Sequence, residues 1–299
     1  MTSLWRHLPI VVRAVIAGLL VAAVGVIPWS GIAGYPALAA WNLRAFVSVP
    51  WAIVPMSLLL GLFWWYLNGG GWPSTTARSR RASLRANRLP ADVWGMAILA
   101  GMLGLASLLP LLRLMSRFVE LPAESQPITI PPGMPFVTAF FLLVMASIVA
   151  GVAEEAAYRG YMQGPIERRH GPIVAILISG TVFGLAHYNH HPDSILPTLP
   201  YYIAVSAVYG GLAYATNSIL PGLALHAAGD IFSLSRLWTT GQSELQLAVK
   251  PPGLIWETGV DASFLRSVVV FVLLGGGALW AYVALASAVR ARRSDLEPV

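Results

Sequence analysis

The feature that most limits what this chain can fold into is a succession of apolar windows, each about as long as a membrane-crossing helix. Crossing ~30 Å of hydrocarbon takes about 20 residues at 1.5 Å per residue. Such windows run at Leu8–Pro28, Phe46–Leu67, Asp92–Met115 and Pro135–Tyr158, then at Pro172–Asn189, Thr198–Thr216, Ile219–Leu237 and Leu265–Val289. Of the 299 residues, 57% are hydrophobic and only 11% charged, with a mean hydropathy of +0.68, which describes spanning helices rather than a water-soluble core. The expected fold class is all-α, a polytopic transmembrane bundle of about eight spans.

The basic residues follow the same rhythm. Arg78, Arg80, Arg81, Arg85 and Arg88 fall between the second and third windows, Arg168 and Arg169 between the fourth and fifth, and Arg290, Arg292 and Arg293 after the eighth. All lie on one side if both termini are cytoplasmic, as the positive-inside rule requires. Loop clumping therefore accounts for the net charge of +6 and the pI of about 9.9 without a nucleic-acid partner. Arg6 and Arg13 precede the first apolar run, and Ala37-Leu38-Ala39 resembles a signal-peptidase site. That site lies well beyond the run, so an uncleaved first span is expected, with Pro28, Trp29 and Tyr35 in an interfacial loop. The outer loops carry Glu120, Pro122, Glu124, Pro131 and Pro132 in one case, and Glu244, Lys250, Pro251, Pro252, Glu257 and Asp261 in another. Three regions are expected: a three-span region at 1–134, a four-span core at 135–238, and a last span with a basic tail at 239–299.

Against this background, charges inside the windows stand out. An ionised side chain at bilayer depth costs ~2.5 to 3.5 kcal/mol even on the lenient insertion scales, so Glu154, Glu155 and Arg159 are candidate functional residues. On an α-helix Glu155 and Arg159 share a face and can pair, while Glu154 points about 100° away. One glutamate is thus held and the other left available. The plainer reading makes Glu154 to Arg159 the cytoplasmic end of a span, with charges snorkelling to the headgroups.

The downstream residues weigh against the plainer reading. If the fourth helix continues past Arg159 and turns near His170 and Gly171, Glu154 and His187 each lie about 16 residues from the turn, roughly 24 Å along antiparallel helices. Gly164 and Pro165 are where such a helix would bend. Gly180 and Gly184 permit close backbone approach, and Phe183 and Tyr158 are expected to line a substrate cavity. In the seventh window His226 and Asp230 share a face. Together Glu154, Glu155, His187, His226 and Asp230 supply what amide hydrolysis needs: a carboxylate to take a proton from water, and imidazoles to hold that water or an ion and stabilise the oxyanion. With no cysteine, thiolate nucleophiles, disulfides and Cys-ligated metal centres are excluded. His190, His191 and Asp193, next to Pro192, read as an interfacial loop, Asn217 as a short turn, and Gly275, Gly276 and Gly277 as a close-packed or flexible point.

Glu154-Glu155-Ala156-Ala157-Tyr158-Arg159 matches Glu-Glu-x-x-x-Arg, Phe183-Gly184-Leu185-Ala186-His187 matches Phe-x-x-x-His, and His226-Ala227-Ala228-Gly229-Asp230 matches His-x-x-x-Asn/Asp. In this order the motifs resemble those of the CPBP family of intramembrane proteases, which contains CAAX prenyl endopeptidases and bacteriocin-processing or immunity proteins. The resemblance covers roughly Phe136 to Leu237. It implies that Glu154 activates the attacking water and His187 assists or ligates. Glu155 and Arg159 would organise the helix, and His226 and Asp230 would stabilise the oxyanion or complete a metal site. It leaves open a metal-free route and a divalent metal (zinc) held by Glu154, His187, His226 and Asp230. Asp230 stands where many members have Asn, and its extra charge would favour a cation. The implied partners are the bilayer and a membrane-bound or lipidated protein substrate, and the implied location is multi-pass in a bacterial cytoplasmic membrane. The competing class is a non-proteolytic immunity protein, scaffold or small-molecule transporter. A transporter would usually show inverted repeats and broken midplane helices, and no repeat is evident.

Overall fold

The computed structural model describes residues 5, 7–30, 38, 41–42, 44–121, 133–187, 195–241 and 253–296. These residues are all-helical, with no strand among them. In chain order come α1 (Ile10–Ser30), α2 (Ile53–Leu67), a 3-10 turn (Ser74–Thr76), α3 (Ala77–Leu84), α4 (Ala91–Met115) and α5 (Phe136–Glu154). The last continues through a π-helical stretch (Glu155–Gln163) into α6 (Gly164–His170), followed by α7 (Pro172–Ala186), α8 (Ile195–Thr216), α9 (Leu220–Thr240), α10 (Ile255–Thr258) and α11 (Ala262–Leu296). The expected loop residues Tyr35, Glu124, Glu244, Lys250, Pro251, Pro252, His190, His191, Pro192 and Asp193 lie outside the described residues, as do Ala37, Ala39, Pro122, Pro131 and Pro132.

Among the described residues four helices are long and apolar enough to cross a bilayer: Ala91–Met115, Phe136–His170, Ile195–Thr216 and Ala262–Arg292. The expected count of eight is not reached by this measure, for a geometric reason. Helices α2 and α7 are shorter apolar helices, Ile53–Leu67 and Pro172–Ala186, and 15 residues at 1.5 Å each give only about 22 Å. Helix α9 is 21 residues long but carries His226, Asp230 and Arg236, and it is not among the four. The fourth window, by contrast, is longer than expected. Its helix runs 35 residues from Phe136 to His170, and Gly164 and Pro165 do not end it. It stops at Gly171, whose φ of +82° suits a residue without a Cβ.

The chain forms two compact units: Met1–Ala86 with Pro127–Ala175 and His226–Gly241, and Asn87–Gln126 with Ile176–Leu225 and Gln242–Val299. In the first unit small residues let helices meet, as is usual between membrane helices. A Cβ at Gly25 would come within 2.7 Å of the Ala153 Cβ, and one at Gly18 within 3.0 Å of the Ala157 carbonyl oxygen, so α1 lies directly on α5 and the π stretch. Buried Arg80 ties the turn after α2 to α3, donating to the carbonyls of Tyr66 (2.9 Å), Gly70 (2.6 Å) and Pro73 (3.1 Å) and to the Thr76 hydroxyl.

In the second unit α4, α8 and α11 close around Val93, Ala97, Ala100, Val208, Leu212, Ala281 and Leu285. Tyr282 donates its hydroxyl to the Val208 carbonyl at 2.7 Å. Helix α7 meets α8 closely, since a Cβ at Gly180 would lie 2.9 Å from that of Ser206 and one at Gly184 3.0 Å from that of Tyr202. Asn217, at φ +52°, turns the chain between α8 and α9. A Cβ at Gly275, Gly276 or Gly277 would meet nothing within 4 Å, so close packing is not the reason for these glycines. Exposed Leu273, Leu279 and Trp280 give α11 the apolar surface that a lipid-facing helix presents.

Candidate active site

Helices α5 and α9 position the first-unit residues. A Cβ at Gly151 would lie 3.2 Å from the backbone nitrogen and the Cβ of Ala227, so the two helices approach at backbone distance one turn before the glutamates. That brings His226, next to Ala227 in sequence, against Glu155. At the far end of the pair Phe136 stacks on Trp238 with ring centroids 5.2 Å apart.

Glu155 and Arg159 are fully buried. The Arg159 Nη1 lies 3.3 Å from Glu155 Oε1, and the same oxygen lies 2.9 Å from His226 Nδ1. The expected pairing of Glu155 with Arg159 is present, although the intervening helix is π rather than α. At about 4.4 residues per π turn, residues four apart still fall within about 35° of one another, close to the 40° of an α-helix. Hydrogen bonding from Nδ1–H to Glu155 fixes the imidazole and turns Nε2 the other way. There it stands 3.5 Å from Glu154 Oε2 and 3.8 Å from Asp230 Oδ2.

The two adjacent glutamates are therefore unequal. Glu155 has no exposure, whereas the Glu154 side chain keeps 19% and that of Asp230 31%. The Oε2 atoms of Glu154 and Glu155 are both buried and accept no hydrogen bond among the described residues, and that of Glu154 lies 3.5 Å from His226 Nε2. Tyr158 is buried, and the Arg159 guanidinium carbon lies 6.0 Å from its ring centroid.

His187 and Phe183 belong to the second unit. His187 follows the last turn of α7, its Nδ1 2.8 Å from the Phe183 carbonyl oxygen and its ring 4.6 Å from that of Tyr202 and 4.5 Å from that of Phe183. Phe183 and His187, four residues apart, thus place their rings side by side.

The helix also carries polar residues that the motifs do not include. Buried Gln163 donates to Glu167 at 3.1 Å, and Arg85 donates to both oxygens of Glu167, at 3.3 and 3.1 Å. Arg85 is 4% exposed and sits at φ +56° just after α3. Residues 155, 159, 163 and 167 form a run of polar side chains at every fourth position, a signal legible in the sequence. Arg85, 82 residues away, has no local signal.

Among the described residues no three of His, Asp and Glu are arranged to hold an ion, and His226 spends Nδ1 on Glu155 while its Nε2 stands 3.5 and 3.8 Å from the other two carboxylates. Glu154 and Asp230 thus both face the His226 Nε2, while Glu155 takes Nδ1.

Comparison with known proteins gives one family. Residues 136–232 match the family model described as Type II CAAX prenyl endopeptidase Rce1-like. No curated protein and no solved structure matches the chain. The matched stretch begins at the first residue of α5 and ends two residues past Asp230, so it contains all three motifs. Helices of membrane-crossing length, a buried Glu-Glu-x-x-x-Arg helix and an imidazole held against it thus accompany a family match over the same residues, and residues 136–232 are similar to Rce1-like type II CAAX prenyl endopeptidases, consistent with the CPBP family of intramembrane proteases.

Proposed function

We propose that this protein is an intramembrane endopeptidase in which Glu154 activates the water that cleaves a peptide bond of a membrane-embedded or lipidated protein. The observation that carries this reading is the inequality of the two glutamates. Glu155 is fully buried and spends Oε1 on Arg159 and His226 Nδ1, while Glu154 keeps 19% exposure and turns Oε2 toward His226 Nε2. In the proposed step Glu154 takes one proton from water, the oxygen bonds to the scissile carbonyl carbon, and the negative charge moves to the carbonyl oxygen. Collapse breaks the C–N bond, and the proton passes to the leaving amine. Glu155 is a positioning residue, because it acts by holding the His226 ring. Nε2 then stands where it can pass a proton or hold the oxyanion beside Glu154 and Asp230. His187 enters through the Phe-x-x-x-His resemblance as an assisting imidazole, and both termini are assigned to the cytoplasmic side by the arginine distribution.

The test is cleavage of a panel of membrane-tethered and lipidated peptides by the full chain in lipid, wild type against Glu154→Gln, with and without chelator. A rate loss of about 10²- to 10⁴-fold in the variant with unchanged thermal stability is expected. Equal rates in the two proteins would remove Glu154 from the chemistry, and loss of wild-type cleavage on chelation would replace the metal-free step.

A further inference from the structure

We infer that the first unit carries a site for the phosphate of an anionic lipid headgroup, seated on Arg13. Arg13 is the one charged residue of α1, half-buried one turn into an otherwise uncharged helix. Its Nε is buried and makes no hydrogen bond among the described residues, and Arg13 forms no ion pair among them. A buried guanidinium N–H without an acceptor is costly, so an anion that reaches the Arg13 Nε is favoured. The space for one is present. Arg13 opens on a cavity of about 150 Å³, with Trp5 as a wall, Ala14 and Ala17 as an apolar floor, and the hydroxyl-bearing Ser83 and Tyr161 on the other side. Liquid water takes about 30 Å³ per molecule, so the cavity admits a phosphate group but not a whole lipid.

A lipid suits this place better than a free anion. The planar guanidinium fork recognises phosphate oxygens in pairs. Beyond Arg13 the outward face of α1 presents Leu19, Leu20 and Val24 at 43, 59 and 60% exposure, a track on which acyl chains can lie. Ser83 belongs to α3, whose exposed Arg78 and Arg81 suit a surface of anionic lipid in general, while Arg13 supplies the charge that lines the cavity itself. The occupant would also touch the motif helix, because Tyr161 lies in the π stretch between Arg159 and Gln163.

The test reads thermal stability and needs no substrate, so it stands or falls apart from the protease reading. The full chain is melted in phosphatidylcholine vesicles with and without phosphatidylglycerol, and separately with inorganic phosphate. A rise of about 3 to 6 °C with phosphatidylglycerol is expected for the wild type. Most of that rise should vanish in Arg13→Gln and persist in the double variant Arg78→Gln/Arg81→Gln. Retention of the rise in Arg13→Gln, or equal loss in the double variant, would overturn the site in favour of general surface attraction. An equal rise with inorganic phosphate alone would overturn the lipid as occupant. Should Arg13→Gln fail to fold, Ala17→Leu narrows the cavity with every charge in place. Loss of the rise there supports the site, and an unchanged rise refutes it.

Discussion

Along the helix from Phe136 to His170 the first unit buries Glu155, Arg159 and Gln163 completely, with Arg85 at 4% exposure beside Glu167. The second unit packs α4, α8 and α11 around alanines, valines and leucines, and its Tyr282 hydroxyl finds a backbone carbonyl. Its charged contacts are at helix ends: Arg117 with Asp261 at the start of α11, and Arg292 with Asp92. The contrast teaches where the molecule accepts the cost of buried charge. Apolar packing is sufficient to join membrane helices, as the second unit demonstrates, so buried charges in the first unit call for another reason. The geometry supplies one, because Glu155 holds the ring that faces Glu154.

The largest break in this contrast is expected from Glu155→Ala, which removes the carboxylate facing Arg159 in a fully buried place. Removing one partner of such a pair costs about 3 to 5 kcal/mol, and denaturant midpoints in mixed micelles measure it. A variant as stable as wild type would mean that the buried pair does not hold the first unit together. Next comes Glu167→Ala, which leaves Arg85 without its two carboxylate contacts and should cost about 2 to 3 kcal/mol. Pairing it with Arg85→Ala sharpens the comparison, because the double variant should lose less than the sum of the two singles by about 0.5 to 3 kcal/mol. In the second unit Tyr282→Phe removes one hydrogen bond and should cost only about 0.6 to 1 kcal/mol. A larger loss would show that this unit too depends on polar contacts.

The smallest effect concerns pH. The Phe264 backbone N–H, followed by the Arg117 guanidinium, holds the Asp261 carboxyl below the ordinary carboxylate range. A carboxyl with a depressed folded pKa adds stability that is present above its unfolded value of about 3.9 and is lost as pH falls through the folded value. Wild type should therefore lose slightly more stability than Asp261→Asn when the pH drops from 5 to 3, and identical pH profiles would remove the contribution.

Much of the candidate site was legible locally. Glu155 and Arg159 pair because any helix, α or π, brings residues four apart together, and His226 and Asp230 share a face for the same reason. The windows at Asp92–Met115, Thr198–Thr216 and Leu265–Val289 agree with α4, α8 and α11 to within a few residues, since hydropathy is a local sum. Span number was less legible, because a window can average across a helix too short to cross or stop inside one that continues, as at Tyr158. The link from Arg85 to Glu167 was illegible, since loop arginines are ordinary in membrane proteins and nothing near Arg85 names its partner.

By itself, then, the sequence determined an all-helical membrane protein with three motifs in order, because hydropathy and helical spacing act over a few neighbouring residues. Only the tertiary structure decided that Glu155 rather than Glu154 grips His226, that the motif helix widens into a π stretch there, and that Arg85 closes on Glu167. Those choices depend on how closely backbones meet at Gly151 and Ala227 and at Gly160 and Ser83, where small residues leave 3.2 and 2.8 Å to an added Cβ. Such distances arise from packing between segments far apart in the chain, where local pattern carries no information.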